Sequence, residues 1–394
     1  MRIGIITHYY KSTNYGGNLQ AYALVKYLNS QGYNAEQISY SVYGDDKGVI
    51  TKIVNALHKK EIKTALYLIK KKILFVENII FNNKKRKHYV NTLAERNKAF
   101  YHFNRELTSH SKEIYDDESL GFSNKEYDAF ITGSDQVWNL NQYREGYYLS
   151  FVDSHKKKIS YAASMAMNVV SERQKKILKE KIADFDAISV REEDMVPLIR
   201  EIVGNKVFNT IDPTLLLDNK EWDSVASDKL VDEAYIFCYF LGDNLEVSEK
   251  IRKIAMELNM KLVGISMAND GFKFLDTYRY DKYFDTASPE NFLSLIKYAK
   301  YVFTDSFHAV IFSYIFKKDF FVFDRDNISS MNSRIEMITK LFQTEDRYIS
   351  NERLKMLNNI LSVTPIDYRK KNEKIDILLE QSRNFLKTAL EGEL

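Results

Sequence analysis

The strongest constraint on the fold is a repeated pattern in which a short apolar run ends in a polar loop that leads into a helix-forming stretch. RIGIIT, EQISY, DAFIT, KISYAAS and DAISV have the length and composition of strands, and helical stretches are expected at 18–31, 171–183 and 192–202. After the turn-rich IDPTLLLDNKEW the pattern starts again. YIFCYFL, KLVGIS, YVFTD and FFVF alternate with helical stretches near 246–258, 289–298 and 307–317. Strands separated by helices imply a mostly parallel sheet, and the doubling implies two sheets. The expected fold class is therefore α/β, with two Rossmann-like doubly wound domains facing across a cleft. A chain of 394 residues is long enough for two cores. The expected division is 1–205 for the first domain, with a helical basic insertion at about 50–113. Residues 206–350 form the second domain, and 351–394 are C-terminal helices that return to the first.

Composition narrows the classes of function. With 27 Tyr and 24 Phe the chain can fill two cores and is not disordered. The single cysteine, Cys238, lies within an apolar run, which excludes a disulfide framework and a cysteine-based metal site. Together with a start that is already strand-like, this leads to the expectation of a cytoplasmic protein. No apolar stretch approaches the length needed to span a membrane. The net charge of +3 hides a local excess, since residues 52–106 hold 14 Lys or Arg against 4 Asp or Glu. Leu57, Leu66, Ile69, Ile73, Val76 and Ile80 recur there at helical spacing, so the segment is expected to form amphipathic helices. Its lysines suit either plain solvation or an anionic membrane surface, where each contributes on the order of 1 kcal/mol. No nucleic-acid-binding motif is present.

Four loops that follow strands concentrate the polar chemistry. In THYYKSTNYGGNLQAYAL, Gly16 and Gly17 precede Asn18, a candidate helix cap, and Gln20 follows. Such a turn aims backbone N–H groups at an anion or a polar ligand. It lacks GxGxxG and GxxxxGK[ST], the usual nucleotide signatures. FITGSDQVWN supplies Gly133, Ser134, Asp135, Gln136 and Trp138, a set suited to sugar hydroxyls and the apolar face of a pyranose. In AISVREED, Arg191 emerges from a buried strand and needs an anionic partner, a phosphate, a carboxylate or a neighbouring acid. In YVFTDSFHAVIF, Asp305, Ser306 and His308 stand where a strand gives way to a helix, and Asn332, Ser333 and Arg334 open a further helix. Metal-ligand spacing and nucleophile elbows are both missing, so neither a metal nor covalent catalysis is expected.

Taken in order, IGIITHYYKSTNYGGNLQAYAL, FITGSDQVWN, KISYAAS, AISVREED, IDPTLLL, TDSFHAVIF and NSRIE resemble the polysaccharide pyruvyl transferase family, from about residue 3 to about residue 342. The resemblance implies a fold similar to the two-domain GT-B glycosyltransferases. It implies transfer of pyruvate from phosphoenolpyruvate to two sugar hydroxyls as a cyclic ketal, in bacterial capsule, exopolysaccharide or cell-wall glycan synthesis. No cofactor is expected beyond phosphoenolpyruvate as co-substrate. The family's donor-site Arg and His correspond to Arg191 and His308.

That chemistry assigns Arg191, Ser306, His308, Asn332, Ser333 and Arg334 to phosphoenolpyruvate. Gly16, Gly17, Asn18, Gln20, Gly133, Ser134, Asp135, Gln136 and Trp138 would face the acceptor. His308 either binds phosphate or protonates C3, and Asp305 or Asp135 is the alternative acid or the base. The acceptor could be lipid-linked, nucleotide-linked or polymeric. Two rival functions are a GT-B glycosyltransferase using a nucleotide sugar and a non-catalytic protein that binds glycan or membrane.

Overall fold

The computed structural model describes residues 1–41, 83–167, 169–204, 207–242, 245–266, 279–325, 329–356 and 363–392. It contains two parallel sheets. The first, of seven strands, runs β3-β2-β1-β4-β5-β6-β7. Its strands are β1 (Arg2–Ile6), β2 (Asn34–Tyr40), β3 (His110–Tyr115), β4 (Ala129–Thr132), β5 (Lys157–Ala163), β6 (Ala187–Val190) and β7 (Val207–Asn209). The second, of six strands, runs β10-β9-β8-β11-β12-β13. It is built from β8 (Tyr235–Tyr239), β9 (Lys261–Ile265), β10 (Lys282–Phe284), β11 (Tyr301–Thr304), β12 (Asp319–Phe323) and β13 (Tyr348–Ile349). Each sheet thus has the Rossmann strand order, in which the direction of winding reverses beside the first strand. In the first sheet that switch point lies between β1 and β4, where Ile3 is in register with Ala129. In the second it lies between β8 and β11, where Tyr301 is in register with Ile236.

The helices that matter for the site start at the carboxyl ends of strands. Helix α1 (Tyr15–Ser30) follows β1, and α2 (Asn83–Leu107) precedes β3. Met195–Val203, here α3, follows β6, and α4 (Pro289–Lys297) precedes β11. Phe307–Ile315, here α5, follows β11, and α6 (Ser329–Phe342) follows β12. The two sheets share one apolar cluster that reaches from Ile3 and Leu19 to Phe292 and Phe312. Tyr15 stacks on Phe292 at 4.8 Å and donates its hydroxyl to the Ala287 carbonyl, tying α1 to the second domain. Arg96, buried in α2, donates to the carbonyls of both Thr13 and Ser266.

Two boundaries differ from the sequence reading. The first sheet continues to Asn209, past residue 205, because β7 pairs with β6 through Ile188 and Val207. The basic insertion is not helical to residue 113, since His110–Tyr115 is an edge strand paired with β2. Residues 42–82, which carry Leu57 to Ile80 of the amphipathic pattern, lie outside the described residues. The last helix, α7 (Glu373–Glu391), lies on the first sheet. Its Ser382 accepts from the Ile211 N–H, and its final carbonyls at Ala389 and Leu390 accept from the Lys157 ammonium. Among the described residues no helix is long and apolar enough to cross a membrane.

Candidate active site

The carboxyl ends of β4, β6 and β7 meet the start of α5 from the second domain. There Arg191, immediately after β6, is buried and donates from Nη1 to Asp212 Oδ2 at 2.8 Å. Its Nη2 lies 3.6 Å from Asp135 Oδ1, and its Nε lies 3.8 Å from Glu192 Oε1. Arg334, from the second turn of α6, reaches the same two acids at 3.9 and 3.7 Å. His308 Nε2 lies 3.5 Å from Asp212 Oδ2. Phe307 underlies the cations, with the guanidinium carbon of Arg191 4.6 Å and that of Arg334 5.1 Å from its ring centre. Six ionisable side chains from two domains, Arg191, Asp212, Asp135, Glu192, Arg334 and His308, are therefore buried in one connected cluster.

Electrostatics explains how so much charge is tolerated. Burial opposes ionisation of Asp212, but His308 and Arg191 outweigh it and hold that carboxyl well below the usual carboxylate range. Burial likewise opposes ionisation of Asp135, and Arg191, His308 and Arg334 overcome it and keep its pKa low. Arg191 is held in its charged form because Asp212, Glu192 and Asp135 outweigh its own desolvation. Arg334 differs. Burial, reinforced by the neighbouring Arg191, pushes its pKa down to about 10, so its cation is costly to hold as the site stands. Among the described residues, Nε and Nη2 of Arg191 and Nε2 of His308 have no hydrogen-bond partner. Buried donors of this kind, grouped around the Arg191 cation, fit an anionic ligand.

The glycine pair now has a specific role. Both glycines lie inside α1, whose cap is Asn14 and not Asn18, with the Asn14 side chain accepting from the Gly17 N–H. A Cβ on Gly16 would lie 2.0 Å from His308 Nδ1, and one on Gly17 would lie 2.8 Å from the His8 carbonyl oxygen. The absence of side chains lets the His308 ring press against the first turn of α1.

Several residues expected to face a sugar face the protein interior instead. Asn18 is fully buried and donates to the carbonyls of Ser12 and Asn14. Gln20 donates to Thr7 Oγ1 and the Gly17 carbonyl, and its own oxygen accepts from the Ser134 N–H. Ser134 donates to the Ala162 carbonyl, and Gly133 packs on the Tyr161 carbonyl. Trp138 is fully buried, stacked on Tyr148 and edge-on to Phe185. Gln136 is partly exposed. Asp135 belongs with the arginines.

The second domain also departs from expectation in part. Asp305 accepts 2.6 Å hydrogen bonds from the N–H groups of Leu241 and Gly242, and Arg325 Nε lies 3.5 Å from it, so it anchors a loop. Ser306 caps α5 with its hydroxyl toward the Ala309 N–H. Asn332 accepts from the Arg325 N–H, and Ser333 is partly exposed in α6. The sequence reading gives no role to Asp212, Phe307 or His8, and it weighs a salt bridge between Arg191 and Glu192 below an external anion, whereas Glu192 lies 3.8 Å from Arg191 Nε. Glu192 looks like a helix-starting acid but points inward to accept from Ser164, and the Asp-Pro of IDPTLLL is the signal that marks Asp212 as fixed.

Two parallel sheets of Rossmann order, with ionisable side chains from both domains gathered between them, define a GT-B-like protein. Among solved structures, the chain is similar to a UDP-N-acetylglucosamine 2-epimerase described as putative, from Listeria monocytogenes. The identity is 10% and the TM-score 0.54, with 100% of this chain and 97% of that one covered. It is also similar to the UDP-GlcNAc 2-epimerase of Methanocaldococcus jannaschii, at 11% identity and a TM-score of 0.51, covering 97% of this chain and 100% of that one. At such identity the likeness concerns the fold. No curated protein sequence matches the chain. Residues 14–327 match the sequence profile of the polysaccharide pyruvyl transferases, and the chain belongs to that family.

Proposed function

We infer that the protein transfers pyruvate from phosphoenolpyruvate to a sugar diol, forming a cyclic ketal and releasing phosphate. One observation carries this reading. Arg191 is buried with one nitrogen fixed on Asp212, while its Nε and Nη2 are without hydrogen bonds among the described residues and lie beside Arg334 and His308. Phosphoenolpyruvate has an anion at each end, a phosphate and a carboxylate. A set of two guanidinium groups and an imidazole drawn from two domains can hold both ends at once.

The chemistry requires a proton at C3, which makes C2 electrophilic, and then attack by a hydroxyl. His308 is the candidate for that proton or for holding the phosphate, and Asp135 stands within the same cluster as the second candidate. Two hydroxyl protons leave the sugar. They balance the one gained by C3 and the one carried away by phosphate. The acceptor is a glycan intermediate, and the lysine-rich segment that ends in α2 would draw the enzyme to an anionic membrane carrying it. Binding to anionic vesicles that weakens as salt rises is the expected behaviour.

The deciding experiment supplies phosphoenolpyruvate labelled in its carbon skeleton together with lipid-linked saccharides, methyl glycosides and nucleotide sugars as acceptors. The expected product is a saccharide heavier by pyruvic acid less one water, formed in step with phosphate. Transfer of sugar from a nucleotide donor, with the phosphoenolpyruvate label untouched, would contradict the reading.

A further inference from the structure

His8 lies two residues beyond β1, at the switch point of the first sheet, across from Asp135 beyond β4. Its placement is unusually well fixed for a loop side chain. The ring lies tilted against Tyr147, the centroids 4.5 Å apart and the planes at 57°, and Nδ1 is 3.1 Å from the Tyr147 hydroxyl. Tyr147 is itself held, since its carbonyl accepts from Thr132 Oγ1 at 2.8 Å and from the Trp138 indole at 3.4 Å. This gives the buried Trp138 a purpose different from stacking on a sugar. On the backbone side, Gly17 packs against the His8 carbonyl just as Gly16 packs against the His308 ring. Adjacent glycines in one helical turn therefore bring a histidine from each domain to the same helix end.

We propose that His8 is the base that receives the proton of the attacking sugar hydroxyl. This rests on the pyruvyl-transfer reading of the site. In the step assigned to it, the hydroxyl oxygen forms a bond to C2 of phosphoenolpyruvate while its O–H bond breaks toward His8. C3 takes its proton from His308. The bond from C2 to the phosphate oxygen then breaks, and phosphate leaves with the proton that His8 received. The second hydroxyl closes the ketal, and its proton restores the acid.

A base must be neutral when substrate arrives. Burial lowers the affinity of His8 for a proton, with Asp135 and the Gln136 backbone opposing and Arg144 adding to the effect, so the net shift is below the ordinary value near 6.5. These, with Tyr147, are the titratable and polar groups that face it. Burial of an imidazole beside a carboxylate is a common setting for general-base work near neutrality.

The test uses the full-length chain, labelled phosphoenolpyruvate and the acceptor panel described above. His8→Gln is expected to bind phosphoenolpyruvate within about twofold of wild type while kcat falls a hundredfold or more, the usual loss for a general base. The acidic limb of the kcat profile, expected below pH 6.5 in wild type, should vanish in His8→Gln. In Tyr147→Phe that limb should remain but move. Retention of both kcat and the acidic limb in His8→Gln overturns the proposal while leaving pyruvyl transfer intact. A parallel loss of phosphoenolpyruvate binding also overturns it. No transfer by wild type to any acceptor overturns it together with the reading beneath it.

Discussion

The two sheets have the same strand order, yet their switch points are occupied in opposite ways. In the second sheet the Asp305 carboxylate closes the gap between β8 and β11 by accepting from two successive backbone N–H groups, Leu241 and Gly242. In the first sheet the corresponding gap holds His8 and Asp135, and Asp135 faces Arg191 and Arg334 without satisfying either at hydrogen-bond distance. One strand-end carboxylate is held by its own domain's backbone, and the other is left facing buried cations. The same topology thus fixes a loop in one domain and gathers ionisable groups in the other, where His308 joins them from the second sheet. A carboxylate at the end of a strand is a catalytic candidate only when the backbone has not already used it.

The largest expected effect comes from the site itself. Arg191→Lys retains the charge but loses the planar fork, and His308→Ala removes the imidazole. Each should lower pyruvyl transfer by about a hundredfold or more in folded protein. Near-normal turnover in both would erase the distinction between the two switch points. Gly16→Ala tests the contact between α1 and His308. Alanine favours a helix by about 1 kcal/mol, but its Cβ would run into the buried His308 ring and displace it, so stability should fall by about 1–3 kcal/mol. A loss of activity of about tenfold or more is expected from the misplaced group.

Asp305→Asn probes the opposite side of the comparison. It should lower stability by about 1–3 kcal/mol, the cost of weakening charge-assisted bonds to two N–H groups, with kcat changed less than about tenfold. Full stability with no turnover would return Asp305 to the list of acids and bases. Acid unfolding offers a gentler probe. The pKa values of Asp135 and Asp212 are both depressed in the folded chain from an ordinary 3.8. Their contribution to stability is therefore complete above pH 3.8 and is lost as the pH falls below it, toward their native values. Asp135→Asn should flatten that part of the curve. The smallest effect belongs to Trp138→Phe, which should weaken the support for Tyr147 and cost stability while leaving acceptor KM nearly unchanged. A change in acceptor KM with stability intact would restore Trp138 to a sugar-facing role.

What the sequence revealed follows the same physics. Every strand expected from it is present, and the four it missed, β3, β7, β10 and β13, are the four sheet edges. Interior strands are covered on both faces and so read as apolar runs such as YIFCY, whereas the edge strand HSKEIY is mostly polar and KYF and YI are too short to stand out. Within the site, the charged residues at strand ends were legible because a buried guanidinium must have a partner. The neutral polar residues were not. Asn18, Gln20 and Ser134 could have turned toward a ligand or toward the backbone, and only the fold determines that they satisfy carbonyls and N–H groups of their own loops. Asp212 and Glu192 were obscured because the one looked like part of a turn and the other like the start of α3.

The central claim is that the buried cations Arg191, beyond β6, and Arg334, from α6, receive phosphoenolpyruvate beside Asp135, and equilibrium calorimetry on the intact chain tests it directly. Phosphoenolpyruvate should bind more tightly than either inorganic phosphate or pyruvate, because only it engages donors at both ends, and Arg191→Lys should weaken that binding about tenfold or more. Equal affinity for phosphate and phosphoenolpyruvate, or binding that is unchanged in Arg191→Lys, would contradict the account.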